Sequence, residues 1–315
     1  MGHAGVTIEV EHAGTLCWAM QQNAVPWLRR LVLRNAGTLA RRDLRVVIDL
    51  PGFAAPATLH VAELGPGASL ALPAPDLALR AEAFANAIER TRADLTVVVS
   101  SGDERLVAQT SPIDVLACNE WPGLASLPAL LAAFVLPNHP ALAPLLQDVA
   151  ARLGRSTGSP ALDGYQSGDP ARARAIVAAT HDAITARGIT YVTAPASFER
   201  NGQKVRTPEQ VLGERLGTCL DLALLHAAVL EHAGLRPFVA IVRGHAFHGA
   251  WLTAGSAPEV EFGPAVELRK RAQLDALVVV ESTLVCTGSA RPFAAAVGAA
   301  VARLAVDADF LTAID

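Results

Sequence analysis

Lysine is nearly missing from this chain of 315 residues: Lys204 and Lys270 are the only two, so arginine carries nearly all the positive charge, and the formal net charge is -4. No basic stripe with interleaved aromatics occurs, so this segment carries no electrostatic footprint for nucleic-acid binding. Cysteine is sparse as well. Cys17, Cys118, Cys219 and Cys286 are widely spaced and form no CxxC pair, which argues against a zinc ribbon or a disulfide framework and suits a reducing cytoplasm. Long apolar runs are also lacking. The most apolar stretch, 124–146, is interrupted by Pro128, Pro137, Asn138, His139, Pro140 and Pro144, and cannot supply the roughly 20 unbroken apolar residues of a membrane span. The N-terminus places Glu9, Glu11 and His12 where a signal peptide needs an apolar core. The expectation is a cytoplasmic protein that spans no membrane.

What is present is a globular composition, 51% hydrophobic and 18% charged, in a chain long enough for two domains. Up to about residue 120 the pattern is β. Short runs at Val6–Val10, Leu28–Arg34, Leu44–Leu50, Ala57–Leu64 and Leu95–Ser100 are separated by turn residues such as Leu50-Pro51-Gly52 and Gly65-Pro66-Gly67. This spacing predicts an antiparallel β-sandwich of immunoglobulin-like architecture over 1–122, with one helical interruption at Leu77–Glu89. Trp121-Pro122-Gly123 reads as the boundary, and an α+β domain preceded by helices is expected over 123–315. Helices are predicted at Leu124–Val135 and Ala141–Leu153. A third opens at Asp169-Pro170, an acidic cap before a proline, and runs to about Gly188. A short strand follows at Ile189–Val192, and Thr207-Pro208-Glu209 caps a further short helix.

Three later segments carry the chemistry. Gly217-Thr218-Cys219-Leu220-Asp221 leads into a strongly apolar helical run ending at Gly234. A thiol in a first helical turn meets unpaired backbone N–H groups and the positive end of the helix dipole, both of which favour thiolate. The same N–H groups can bind a developing oxyanion. A lone cysteine is more often a small buried hydrophobe, and that reading stands for Cys17, Cys118 and Cys286. The second segment, His245–Leu252, alternates: His245, Phe247, Gly249 and Trp251 share one face, and Ala246, His248, Ala250 and Leu252 the other. Only one of the two histidines can then face the cysteine, and periodicity does not choose between them. The third, Ala276–Val285, is predicted as a near-continuous apolar strand with Glu281 in its middle. A carboxylate there is costly unless paired, and orienting an imidazole would compensate it; a solvent-facing strand end is the plainer alternative. Zinc held by Cys219, Asp221, His245 and His248 is the weaker reading, because the spacing matches no ligand motif. No metal and no cofactor is expected.

Arg215-x-Gly217-x-Cys219-x-Asp221-x-Ala223, then Ala233-Gly234-Leu235-Arg236-Pro237, His245-Ala246-Phe247 and Glu281-x-Thr283 resemble, in order, the motifs of the transglutaminase-like superfamily, whose core is papain-like. The resemblance covers roughly 185–285. It implies Cys219 as nucleophile, His245 rather than His248 as base, and Glu281 as the acid, with glutamate where aspartate is usual and Phe247 where tryptophan is usual. The Cys219 backbone N–H is expected to help hold the oxyanion, with Gln203 or Tyr191 as second donor and Asp221 in support. A wider resemblance rests on Gln21-Gln22-Asn23, Asn119–Gly123, Phe134–Pro140, Gly164-Tyr165-Gln166 and Gly202–Arg206. These segments look like the N-terminal region of large bacterial proteins in which a domain of uncharacterised function precedes a helicase-like ATPase. The chain is therefore expected to be the front of a longer protein, with that ATPase region as a partner in the same chain and none of its motifs between residues 1 and 315.

Three functions follow. The first is a cysteine peptidase or amide hydrolase acting on a polypeptide through a thioester. The second is acyl transfer from the same thioester to an amine, giving crosslinking or deamidation. The third is a binding module with a vestigial site, which a buried, inaccessible Cys219 would favour.

Overall fold

The computed structural model describes residues 5–75, 77–255 and 259–315. It is a mixed α and β structure that divides into two compact units, Met1–Glu120 and Trp121–Asp315.

The first unit is mostly strand. In order it contains β1 (Val6–His12), β2 (Thr15–Leu16), α1 (Trp18–Gln22), β3 (Leu28–Asn35), β4 (Arg41–Asp49), β5 (Ala57–Leu64), β6 (Ser69–Leu72), α2 (Ala81–Ala85), β7 (Thr91–Ser101) and β8 (Glu104–Val115). Strands β1, β3 and β6 form an antiparallel three-stranded sheet in the order β1-β3-β6. The other sheet runs β2-β8-β7-β4-β5, antiparallel except at the β2–β8 edge. Alternation drives the pairing: Leu44, Val46 and Ile48 of β4 and Leu95, Val97 and Val99 of β7 are all buried. The helix expected at Leu77–Glu89 shrinks to the five residues of α2, and β6 and β8 were not among the predicted runs. In β8 the mixed polar content hides the alternation, and β6 is only four residues long with none of them buried.

Strand β9 (Glu120–Trp121) falls where the chain passes from the first unit to the second. The helix predicted at Leu124–Val135 is instead a 3₁₀ segment, Pro128–Phe134, opening on a proline. A second 3₁₀ turn, Pro140–Leu142, leads into α3 (Ala143–Thr157). Next comes α4 (Pro170–Thr185), whose Asp169 carboxylate accepts the Ala171 N–H at 2.9 Å, the cap the sequence signalled. The chain continues through β10 (Thr190–Tyr191), α5 (Phe198–Asn201), β11 (Gln203–Lys204), α6 (Pro208–Glu214), β12 (Leu216–Gly217), α7 (Cys219–His232), β13 (Pro237–Val242) and β14 (His245–Trp251). It ends with β15 (Glu261–Phe262), α8 (Ala265–Gln273), β16 (Leu277–Val280), the 3₁₀ turn Ser282–Val285, α9 (Phe293–Leu304) and β17 (Phe310–Ile314).

An antiparallel sheet of order β15-β17-β13-β14-β16 organises this unit. Helix α7 is buried on every side from Cys219 to Leu230, as a helix apolar all round must be. One sheet face, with Val239, Ile241 and Ala246, packs on Cys219, Leu220, Ala223 and Leu224 of α7. The other, with Phe238, Ala240, Phe247 and Trp251, packs on Ala265 and Leu268 of α8 and Ala300 and Leu304 of α9. Gly249 is required where it stands, because a Cβ there would lie 2.2 Å from the Phe238 ring on the paired strand. The predicted strand 276–285 is corrected: β16 stops at Val280, and Glu281 caps the 3₁₀ turn after it. No helix among the described residues is long and apolar enough to cross a membrane.

Candidate active site

Helix α7 starts from a closed set of hydrogen bonds. Thr218 Oγ1 accepts the Asp221 N–H at 3.2 Å, and Asp221 Oδ2 accepts the Thr218 N–H at 2.9 Å, a reciprocal capping box that leaves Cys219 as the first helical residue. Asp221 also accepts the Arg206 N–H at 2.9 Å and the Arg206 guanidinium at 3.1 Å. Its charge is therefore spent on the helix start and the preceding loop. Gln203 Nε2 donates to Thr218 Oγ1 at 3.0 Å, while its Oε1 is buried with no hydrogen-bond partner.

Strands β10 and β12 run parallel, with Tyr191 opposite Gly217, and this pairing brings Tyr191 to the start of α7. The Tyr191 hydroxyl bonds the Cys219 thiol. Burial is the main reason the tyrosine is pushed up to about 12, and the thiol it faces adds to the shift. Cys219 is fully covered in this conformation. Burial pushes its thiol up to about 11, against the backbone N–H groups of Ala246 and Leu220, with the Glu281 charge raising it further and the Tyr191 hydroxyl opposing. The expectation of a lowered cysteine pKa is thus overturned: the helix-terminal N–H effect is present, but desolvation of the charged form is larger.

The two histidines of β14 separate as alternation requires. His248 is on the face toward α7, but its ring stacks on His226 at 4.0 Å, with an 18° tilt, and its Nδ1 pairs with Ser282 Oγ at 2.8 Å. His226 lies seven residues along α7 from Cys219, roughly 10 Å away at 1.5 Å per residue. His245, the first residue of the strand, follows Gly244, whose φ of 68° closes the β13–β14 turn. Its Nε2 lies 2.9 Å from both Glu281 oxygens. The next residue, Ala246, is the one whose N–H reaches the Cys219 thiol. Facing the helix and lying beside its first turn are therefore different conditions, because the cysteine sits at the helix end and not on its flank.

Glu281 is buried, so the solvent-facing alternative fails. Oε1 accepts the Thr283 N–H at 3.1 Å and the Thr283 hydroxyl at 2.7 Å, and Oε2 accepts Arg303 Nε at 2.6 Å. Burial alone would raise this carboxyl. The hydrogen bond and charge of His245, the Thr283 bonds and the Arg303 charge outweigh it and hold the group down at about 2. Arg303 was absent from the residues read off the sequence. The signal was there: it is the single charge in the otherwise apolar run of α9.

Two buried imidazoles, His181 and His226, also escaped the sequence reading, and they cluster with the buried His248. Among the described residues no group of three or more His, Cys, Asp or Glu could hold a metal ion. Stacked rings direct their lone pairs side by side rather than onto one point.

No family model and no curated protein matches this chain. Among solved structures it is similar to a putative protease from Parabacteroides distasonis, at 15% identity over 69% of this chain and 42% of that one, with a TM-score of 0.22. It is also similar to red sea bream transglutaminase, at 14% identity over 81% of this chain and 48% of that one, with a TM-score of 0.22. The chain spans less than half the length of either structure, and at that TM-score neither likeness carries an argument about fold or chemistry.

Proposed function

We propose that the chain is a thiol-dependent amide hydrolase, a cysteine peptidase in a transglutaminase-like core, with Cys219 as nucleophile, His245 as base and acid, and Glu281 as the orienting carboxylate. The observation that carries this reading is the His245–Glu281 pair at 2.9 Å, set beside the residue whose N–H bonds the Cys219 thiol. With Nε2 committed to Glu281, Nδ1 is the ring nitrogen that meets the thiol proton. The thiolate sulfur attacks an amide carbonyl as His245 takes that proton, and the C–O double-bond electrons move to the oxyanion. Collapse breaks the C–N bond, and the imidazolium returns the proton to the leaving amine. Water, deprotonated by His245, then attacks the thioester; the C–S bond breaks and the thiol is restored. The Cys219 backbone N–H is one oxyanion donor, and Tyr191 or the Gln203 amide is the second. No cofactor enters these steps.

A polypeptide is the proposed substrate. Capture of the thioester by an amine gives the transferase version, using the same residues. The N-terminal unit, with its two sheets as the halves of a sandwich, serves in partner positioning, which includes the helicase-like region of a longer chain.

Replacing Cys219 by alanine is expected to abolish labelling by a thiol-reactive amide mimic, as followed by peptide mass spectrometry. Undiminished labelling would mean that the nucleophile is wrongly assigned. With candidate polypeptides, shortened fragments mark hydrolysis and heavier adducts mark transfer. One observation favours a second reading, the binding module: the thiol is fully covered and its ionisation is suppressed. Wild-type protein that leaves Cys219 unlabelled across pH 6 to 10 would decide for it.

A further inference from the structure

Glu281 is an unusually crowded carboxylate. A carboxylate offers about four lone-pair sites, and here they face the Thr283 N–H, the Thr283 hydroxyl, His245 Nε2 and Arg303 Nε. Thr283 belongs to the same turn as Glu281 and His245 to β14, whereas Arg303 arrives from the last turn of α9. We propose that Arg303 is a positioning residue of the candidate site, pinning Glu281 Oε2 so that the carboxylate faces His245 and offsetting its charge at the Cys219 thiol. The proposal rests on the catalytic reading of Cys219, His245 and Glu281.

Three observations carry it. A glutamate has one more rotatable bond than an aspartate, so an acid of this length needs a second anchor to face one imidazole; Thr283 holds Oε1 and Arg303 holds Oε2. The arginine side chain is 43% exposed, yet its Nε is committed to a carboxylate that is 3% exposed. The electrostatic arrangement also has a sign. The groups facing Glu281 are His245 from β14, Thr283 from its own turn, Arg303 from α9, Cys219 from α7, Tyr191 from β10 and Cys286 after the turn. Among these described groups Arg303 contributes the guanidinium, a permanent cation. The Glu281 charge opposes ionisation of Cys219. Arg303 offsets that opposition while leaving the carboxylate ionised for His245.

The test is the rate of Cys219 alkylation by iodoacetamide against pH in the full chain, resolved by peptide mass spectrometry from the other three cysteines. Arg303→Met is expected to move the profile's midpoint up by at least about half a pH unit, because the carboxylate charge is unmasked. Arg303→Lys is expected to restore at least half of that shift. Because Glu281 keeps its bonds from His245 and from the Thr283 N–H and hydroxyl, the melting temperature is expected to stay within about 3 °C. A merely structural arginine would do the opposite, lowering the melting temperature with the midpoint unmoved, and that result overturns the proposal. So does a lysine variant displaced as far as the methionine variant. If Arg303→Met does not fold, Arg303→Gln is judged by the same criteria. An alkylation profile unchanged by His245→Ala overturns the catalytic reading, and the Arg303 proposal with it, whereas a shift in His245→Ala with none in Arg303→Met overturns the Arg303 proposal alone.

Discussion

A cysteine at the first position of a helix meets backbone N–H groups that favour its thiolate, and sequence reasoning about Cys219 rests on that preference. What sequence position does not carry is how much water the fold leaves around the sulfur. Burial dominates here and raises the thiol to about 11, with the Tyr191 hydroxyl among the groups that resist the rise. Tyr191→Phe keeps the ring and removes the donor. It is expected to slow Cys219 alkylation at pH 8 by up to about tenfold, the worth of one hydrogen bond to a charged group. An unchanged rate would show that the hydroxyl does not act on the thiolate. The same distinction applies to Glu281. Its presence in an apolar run was legible, but its saturation by Thr283, His245 and Arg303 draws on residues up to 36 positions away from it. Its carboxyl is held down at about 2, so its contribution to stability is full above the ordinary glutamate range and lost as pH falls from about 4.5 towards 2. Glu281→Gln is expected to flatten acid unfolding across that window, as read by circular dichroism.

At the scale of elements, α7 and β14 were legible because their patterns are strong: an apolar run closed by Gly234, and strict alternation after Gly244. The interface between them was not. His226 of α7 stacks on His248 of β14, and His181 of α4 lies 6.3 Å from His226 between ring centroids. Burial depresses His226 to about 3 and pushes His248 well below the ordinary value; the proximity of His181 adds to both shifts and that of His226 to the shift in His248, while the Leu222 carbonyl opposes the shift in His226. Both are neutral in the fold and bind protons more readily once unfolded. Stability is therefore expected to fall as pH drops below about 6.5, by about 1.4 kcal/mol per pH unit for each histidine until its folded pKa is reached. Chemical denaturation at pH 7 and pH 5 measures the slope. His226→Leu is expected to reduce it, and an unchanged slope would place the acid sensitivity elsewhere. The 3₁₀ segment 128–134 failed as a predicted helix because seven residues opened by Pro128 are too few for helix propensity to offset nucleation.

Across the whole molecule, each compact unit owns a buried core: Leu44, Val46, Leu95 and Val97 in the first, and Leu225, Val229, Phe247 and Val280 among others in the second. Cores of this kind unfold separately when few contacts join them. Leu95→Ala and Leu225→Ala, each expected to cost about 2–5 kcal/mol as buried leucine truncations, should lower different transitions in calorimetry. A single transition moved by both would mean that the units unfold as one. Local patterns in the chain already specify the β-rich segment up to about residue 120, the start and end of α7 and the alternation of β14. Each of these is written in local periodicity or in a cap a few residues long. Packing between distant segments sets the remaining features: Glu281 bonds both His245 and Arg303, His248 stacks on His226, and the Cys219 thiol is covered. Those outcomes depend on which distant segments share a boundary and how much water is excluded there, and neither quantity has a local signature in the chain.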